Sequence, residues 1–197
     1  MLIRTIYAEW MKLRRSPIWL AFFALPILPA VMGTFNYLQN IGILQHEWYS
    51  LWTQHTIFSC YFFLPAIIGV YCSYLCRLEH TNYNWNATMA APVPVSCIFL
   101  AKFLAASFIV LLTQVWIGVL FVVSGKLLGL TAPVPSELPV WLLCGAAGGF
   151  VICALQLCLS LVIRSFAVPV GLALIGGIAG LAAQVKGVGV WFPYSLM

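Results

Sequence analysis

The sequence predicts an all-α polytopic membrane protein, with an N-terminal amphipathic interfacial helix followed by five transmembrane helices. Three observations predict it. Of 197 residues, 63% are hydrophobic and 7% charged, against about 25% charged in a soluble domain. The segments 17–37, 56–76, 97–125, 138–163 and 165–185 each contain a run free of Asp, Glu, Lys and Arg. Each run is long enough to cross about 30 Å of hydrocarbon at about 1.5 Å per residue. Such runs lack the alternating polarity of barrel strands, so the backbone amides must be paired within helices. Finally, the basic residues fall unevenly. With the N-terminus inside, Arg4, Lys12, Arg14, Arg15, Arg77, Lys102 and Arg164 share one side and only Lys126 and Lys186 the other. That asymmetry predicts a cytoplasmic N-terminus. One membrane domain fills 1–197, with no room for a soluble catalytic domain.

Residues 1–16 form the leader. Ile3, Ile6, Tyr7, Trp10 and Leu13 lie on one helical face, and Arg4, Ala8, Lys12 and Arg15 on the other. Such a helix is expected to lie in the headgroup plane, with Trp10 at the interface and Lys12, Arg14 and Arg15 toward the cytosol, before turning inward at Ser16-Pro17. The first hydrophobic run has full spanning length and no small-x-small cleavage pattern, so it is expected to be retained.

Pro26 and Pro29 remove backbone donors from the first span and should bend or unwind it. In the following outer loop, Trp48, Tyr49 and Trp52 are placed like an interfacial belt. His46, Glu47 and His55 read as a solvated loop, since nothing nearby completes a coordination shell. No metal site is predicted. The second span carries Pro65 near its middle.

The loop at 77–96, RLEHTNYNWNATMAAPVPVS, is a polar island between two apolar runs. Glu79, His80, Asn82, Asn84 and Asn86 are too polar for lipid, whereas Tyr83, Trp85 and Met89 are too apolar to be left in water. This mixture suits a short docking helix, followed by extended chain at Ala91-Pro-Val-Pro-Val95 and a cap at Ser96. Lys102 sits one turn into the third span, where its stem can snorkel to the inner headgroups. Gln114 and Gln156 are the polar exceptions of the third and fourth spans. Gly145, Ala146, Ala147, Gly148 and Gly149 read as a close helix contact. After Lys186 an aromatic, glycine-containing segment is expected at the outer surface.

Several function classes lack their residues. There is no G-x-x-x-x-G-K-[ST], so the chain has no Walker site of its own, and no HExxH or G-x-S-x-G. Asp is absent altogether, and the carboxylates Glu9, Glu47, Glu79 and Glu137 all fall in the leader or beside loops. No catalytic residue and no cofactor are predicted. The seven cysteines lie within or beside the spans and read as free thiols. No basic cluster has the aromatic spacing of a nucleic-acid binder.

The leader AEWMKLRRSP at 8–17, and the island running from Glu79 through Asn84-Trp85 to Ala91-Pro-Val-Pro before Lys102, resemble the permease subunits of ABC-2 type ABC transporters. Within that group the chain looks most like the small permeases of lantibiotic and bacitracin export or immunity systems. The resemblance implies a six-helix fold, of which this chain would be a truncation before the sixth span. It also implies a bacterial plasma membrane, a homodimer or heterodimer of permeases, and a separate cytosolic ATPase that performs ATP hydrolysis and grips the 77–96 loop as a coupling helix. The coupling residues would be Arg77, Glu79, His80, Tyr83, Asn84, Trp85 and Met89, the aromatics filling an apolar cleft on the ATPase and the charged groups forming a rim. An amphiphilic peptide, antibiotic or lipid-like substrate would pass isolated Gln114, Gln156 and Gln184 at the dimer interface. Two alternatives use the same residues differently. A non-transporting anchor or accessory subunit would share the docking loop, and a lipid-modifying enzyme would need Glu79 and His80 as an acid/base pair, although adjacent residues diverge on a helix.

Overall fold

Proline decides where the first span breaks. In the computed structural model, which describes residues 1–44, 46–81 and 84–196, the leader α1 (Leu2–Arg14) is followed by two half-helices, α2 (Ile18–Ala24) and α3 (Ile27–Gln39). The interruption falls at Leu25-Pro26, where proline has no N–H to continue the ladder.

The second span is longer than its apolar run. It starts with α4 (Glu47–Phe58), passes a π-helical turn (Ser59–Phe63) and continues as α5 (Leu64–His80). The π-helical turn has a local cause. Pro65 cannot donate to the Tyr61 carbonyl, and its ring would clash there in a regular helix. The freed carbonyl lies against Gly177, where any Cβ would overlap it.

The helix begins at Glu47 rather than near residue 56 because its first turn is packed, not solvated. Trp48 is 2% exposed, stands edge-on to Phe121 and donates from Nε1 to the Ala132 carbonyl at 2.8 Å. Glu47 accepts the Ala132 amide at 3.1 Å, and His55 is bonded to Thr34 at 3.0 Å. The expected solvated loop with a tryptophan belt is therefore a buried junction, in which the absence of a side chain at Gly125 makes room for the Trp48 indole.

Beyond the short helix α6 (Asn84–Ala90) come α7 (Val95–Leu127), α8 (Leu138–Val162) and α9 (Ala167–Val185). Five helical segments are long and apolar enough to span a membrane, and no strand occurs among the described residues. α5 is central: it packs on α8 and α9 and touches α2 and α7, while α7 packs on α8 and the leader lies along α7. The core along α5 includes Ile68, Tyr71, Cys72 and Leu75, all with no exposed surface, closed by Ile109 and Leu157. The outer faces are apolar too: Phe35, Val115, Leu143 and Ile175 are all more than half exposed, as expected where the surroundings are lipid.

The segment after Lys186 keeps Val190 and Trp191 exposed, at 81% and 90%, while Tyr194 and Ser195 turn inward. It folds back along α9 in two short turns, Gly189–Trp191 and Pro193–Ser195. This brings Tyr194 against Gly176 and Gly180 of α9 and its hydroxyl to Gln156 Nε2 at 2.7 Å. Both glycines lack the Cβ that would meet it.

Candidate functional site

The second and third spans, at 34 and 33 residues, exceed the roughly 20 that cross a bilayer. The end of α5 and the start of α7 lie together at one end of the bundle, and α1 and α6 pack there. Four charged side chains meet there. Glu9 and Lys12 come from the leader, Glu79 from the last turn of α5 and Lys102 from the second turn of α7.

Lys102 has no exposed surface. Its Nζ lies 3.0 Å from Glu9 Oε2, 3.2 Å from Glu79 Oε1 and 3.3 Å from the Leu75 carbonyl. An ammonium has three protons, and here each has an acceptor. Lys12 Nζ reaches Glu9 Oε1 at 2.7 Å and Glu79 Oε1 at 2.5 Å. Two carboxylates and two ammonium groups thus cancel in a closed ring. Burial opposes the charge on Lys12, but hydrogen bonds to Glu79 and Glu9 outweigh it and raise its pKa above the ordinary 10.5.

The helix α6 is fastened to this ring and to α8 by separate links. The Thr88 hydroxyl donates to Glu79 Oε2 at 2.8 Å. Trp85 Nε1 donates to His80 Nδ1 at 3.0 Å. That donation makes Nδ1 an acceptor, so His80 Nε2 carries the proton and donates to the Ser160 carbonyl of α8 at 3.0 Å. Asn84 Nδ2 also donates to the Leu78 carbonyl at 3.0 Å. A displacement of α6 therefore acts on α1 and α7 through Glu79, and on α8 through His80.

Glu79 is 3% exposed and lies inside the ring, not on an outer rim. His80 and the Trp85 indole face the bundle and border an apolar cleft of about 500 Å³ with Met89, Phe99 and Leu161. Arg77 is exposed, its guanidinium 5.9 Å from the Phe166 ring. Asn84, Asn86, Ala87, Met89 and Ala90 present an open face. Tyr83, expected to be an anchor, lies outside the described residues, as does Asn82.

The leader has turned relative to its expected face. Lys12 points to the counter-charges of α5 and α7, and Ile3 and Tyr7 are 82% and 64% exposed. Leu13 is buried, and Trp10 stands edge-on to Trp19 and Phe108. Arg14 and Arg15 remain exposed. Lys102 does not snorkel, because two carboxylates supply what headgroup water would otherwise give.

Sequence reasoning missed Glu9, Lys102 and Thr88 as members of this site. A signal was present: a lone Glu three residues before Lys12 in a basic leader, and a Lys inside an apolar run. Neither could be paired without knowing that three elements converge. The three glutamines do not gather. Gln114 is buried near the middle of α7, Gln156 is held by Tyr194, and Gln184 is exposed at the end of α9.

A family model described as ABC-2 family transporter protein matches residues 5–180. No curated protein and no solved structure matches the chain.

Proposed function

From the premise that the chain belongs to the ABC-2 transporter family, we propose that its α6 is the handle by which a separate cytosolic ATPase drives the bundle. The chain is the membrane component of such a transporter and is not itself catalytic. On this reading the leader end faces the cytosol of a bacterial cell, a second permease completes the transporter, and the cargo is an amphiphilic peptide, antibiotic or lipid-like molecule.

The observation that supports it most is the way α6 is fastened. A seven-residue helix has too few internal hydrogen bonds to be stable alone. Here Thr88 and Trp85 clamp it to Glu79 and His80, neighbours in the last turn of α5 that are bonded onward to the ring and to α8 respectively, leaving Asn84, Asn86, Ala87 and Met89 open to a partner. Closure of the ATPase would push on that open face. Glu79 then carries the load to Lys12 and Lys102, moving leader and third span together, while His80 carries it to the fourth span. Trp85 serves as a positioning residue, with its indole committed inward.

Co-purification with the ATPase tests this reading. Ala87→Arg places a bulky charge on the open face, and loss of the ATPase from a normally inserted protein is expected; retention at the wild-type level would refute the docking role.

A further inference from the structure

Toward the opposite end of the bundle from the charge ring, α4, the π-helical turn, α7 and α8 line a half-open cavity of about 310 Å³. That is near the lower end of small-molecule sites, at about 300–1,000 Å³. Trp52 and Trp141, stacked at 5.2 Å and 26°, form one wall. Gln114 lines it from α7; the residue is 5% exposed, and its Nε2 has no hydrogen-bond partner. An unpaired amide donor so deeply buried is costly. Gly145 accommodates it: a Cβ there would stand 2.8 Å from Gln114 Nε2.

His55 and Ser59 line the same cavity. The Thr34 hydroxyl donates to the Ala30 carbonyl at 2.7 Å, so it accepts from His55 Nε2, and the other ring nitrogen of His55 is left as an acceptor. None of the lining residues is Asp, Glu, Lys or Arg. The walls can thus give a hydrogen bond and take one, but have no counter-charge for an ion, whose burial unpaired would be prohibitive. π-Helical turns are frequent at functional sites, and Ser59 belongs to this one.

We infer that this cavity binds the uncharged, hydrogen-bonding head of an amphiphile, with Gln114 Nε2 donating to a carbonyl or ether oxygen and the Trp52–Trp141 pair packing on the adjoining apolar portion. The inference narrows the proposed cargo class, yet binding here is independent of ATPase docking, and Ala87→Arg would leave it intact.

The test is photolabelling of the purified full chain in nanodiscs with a monoacylglycerol carrying a diazirine in its acyl chain. Label is expected on residues 52–64 or 141–145, displaced by unlabelled monoacylglycerol. Gln114→Leu removes the orphan donor without adding bulk, and should cut the label about fivefold, the value of one hydrogen bond, with melting temperature maintained. If that variant does not fold, Gly145→Ala, which crowds the carboxamide, should give the same loss. A lysophosphatidylglycerol probe of equal chain length should label at least about fivefold less, since its head brings a charge into a site without a partner. Undiminished labelling of the folded variants, equal labelling by the anionic probe, or label confined to other segments would overturn the inference.

Discussion

Lys102 has three acceptors for three protons and no contact with solvent, so its removal leaves more than a lost attraction. Lys102→Met strands two carboxylates with one remaining ammonium, and a destabilisation of about 3–5 kcal/mol is expected, read as a lowered melting temperature in detergent. Lys102→Met with Glu9→Gln restores neutrality around Lys12 and Glu79 and should recover part of the loss. A strictly additive double mutant would contradict a closed ring. Lys12 gives a pH signature. Its pKa is raised above 10.5, hydrogen bonds to Glu79 and Glu9 prevailing over burial. Its stabilising contribution is thus complete below about 10.5 and is lost as pH rises through the higher folded value. The stability difference between wild type and Lys12→Met should therefore be flat from pH 6 to 9 and shrink above 10.5. At this scale the sequence was only half legible: residue types that bear charge stood out, but the partners of Glu9 and Lys102 lie 93 and 23 residues away along the chain.

α6 shows what an element owes to its surroundings. Its helix-forming sequence is too short to stand alone, so loss of a clamp should loosen the whole segment. Thr88→Val removes a hydrogen bond to a charged acceptor, worth about 1.5–3 kcal/mol. Amide hydrogen exchange across α6 should accelerate by about tenfold or more while that of α8 stays unchanged; unchanged exchange in α6 would mean that Thr88 does not hold it. Proline made the break in span one legible, because a missing N–H acts locally, whereas in span two only the position of Pro65 was legible and not the π-helical turn. Pro26 splits the first span and Pro65 accompanies the π-helical turn. The first turn of α4 was not legible, since His46-Glu47-Trp48 is polar and aromatic enough for an interface and becomes helix only through Ala132 and Phe121 far along the chain. Nor was the return of Tyr194 into the bundle, which depends on the groove over Gly176 and Gly180.

For the molecule as a whole, the five spans were legible from apolar run lengths, and the family from the resemblance carried by the leader and the polar island. Run lengths answer to the bilayer, which acts on every residue alike. What remained hidden was the convergence of α1, α5, α6 and α7 at one end, because the polar ends of two helices longer than a bilayer crossing needs are packed rather than solvated. If the charge ring transmits force, leader and α6 move as one body. Pulsed electron–electron spin distances in the complex with its ATPase read this directly, with spin labels at Met11 and Ala87, and at Ala87 and Val185 of α9, which has no member in the ring, in a background with the exposed Cys144 and Cys158 replaced by serine. On trapping the ATP-bound state, the Met11–Ala87 distance should stay fixed while the Ala87–Val185 distance shifts. A Met11–Ala87 distance that changes while the rest of the bundle holds still would contradict coupling through the ring.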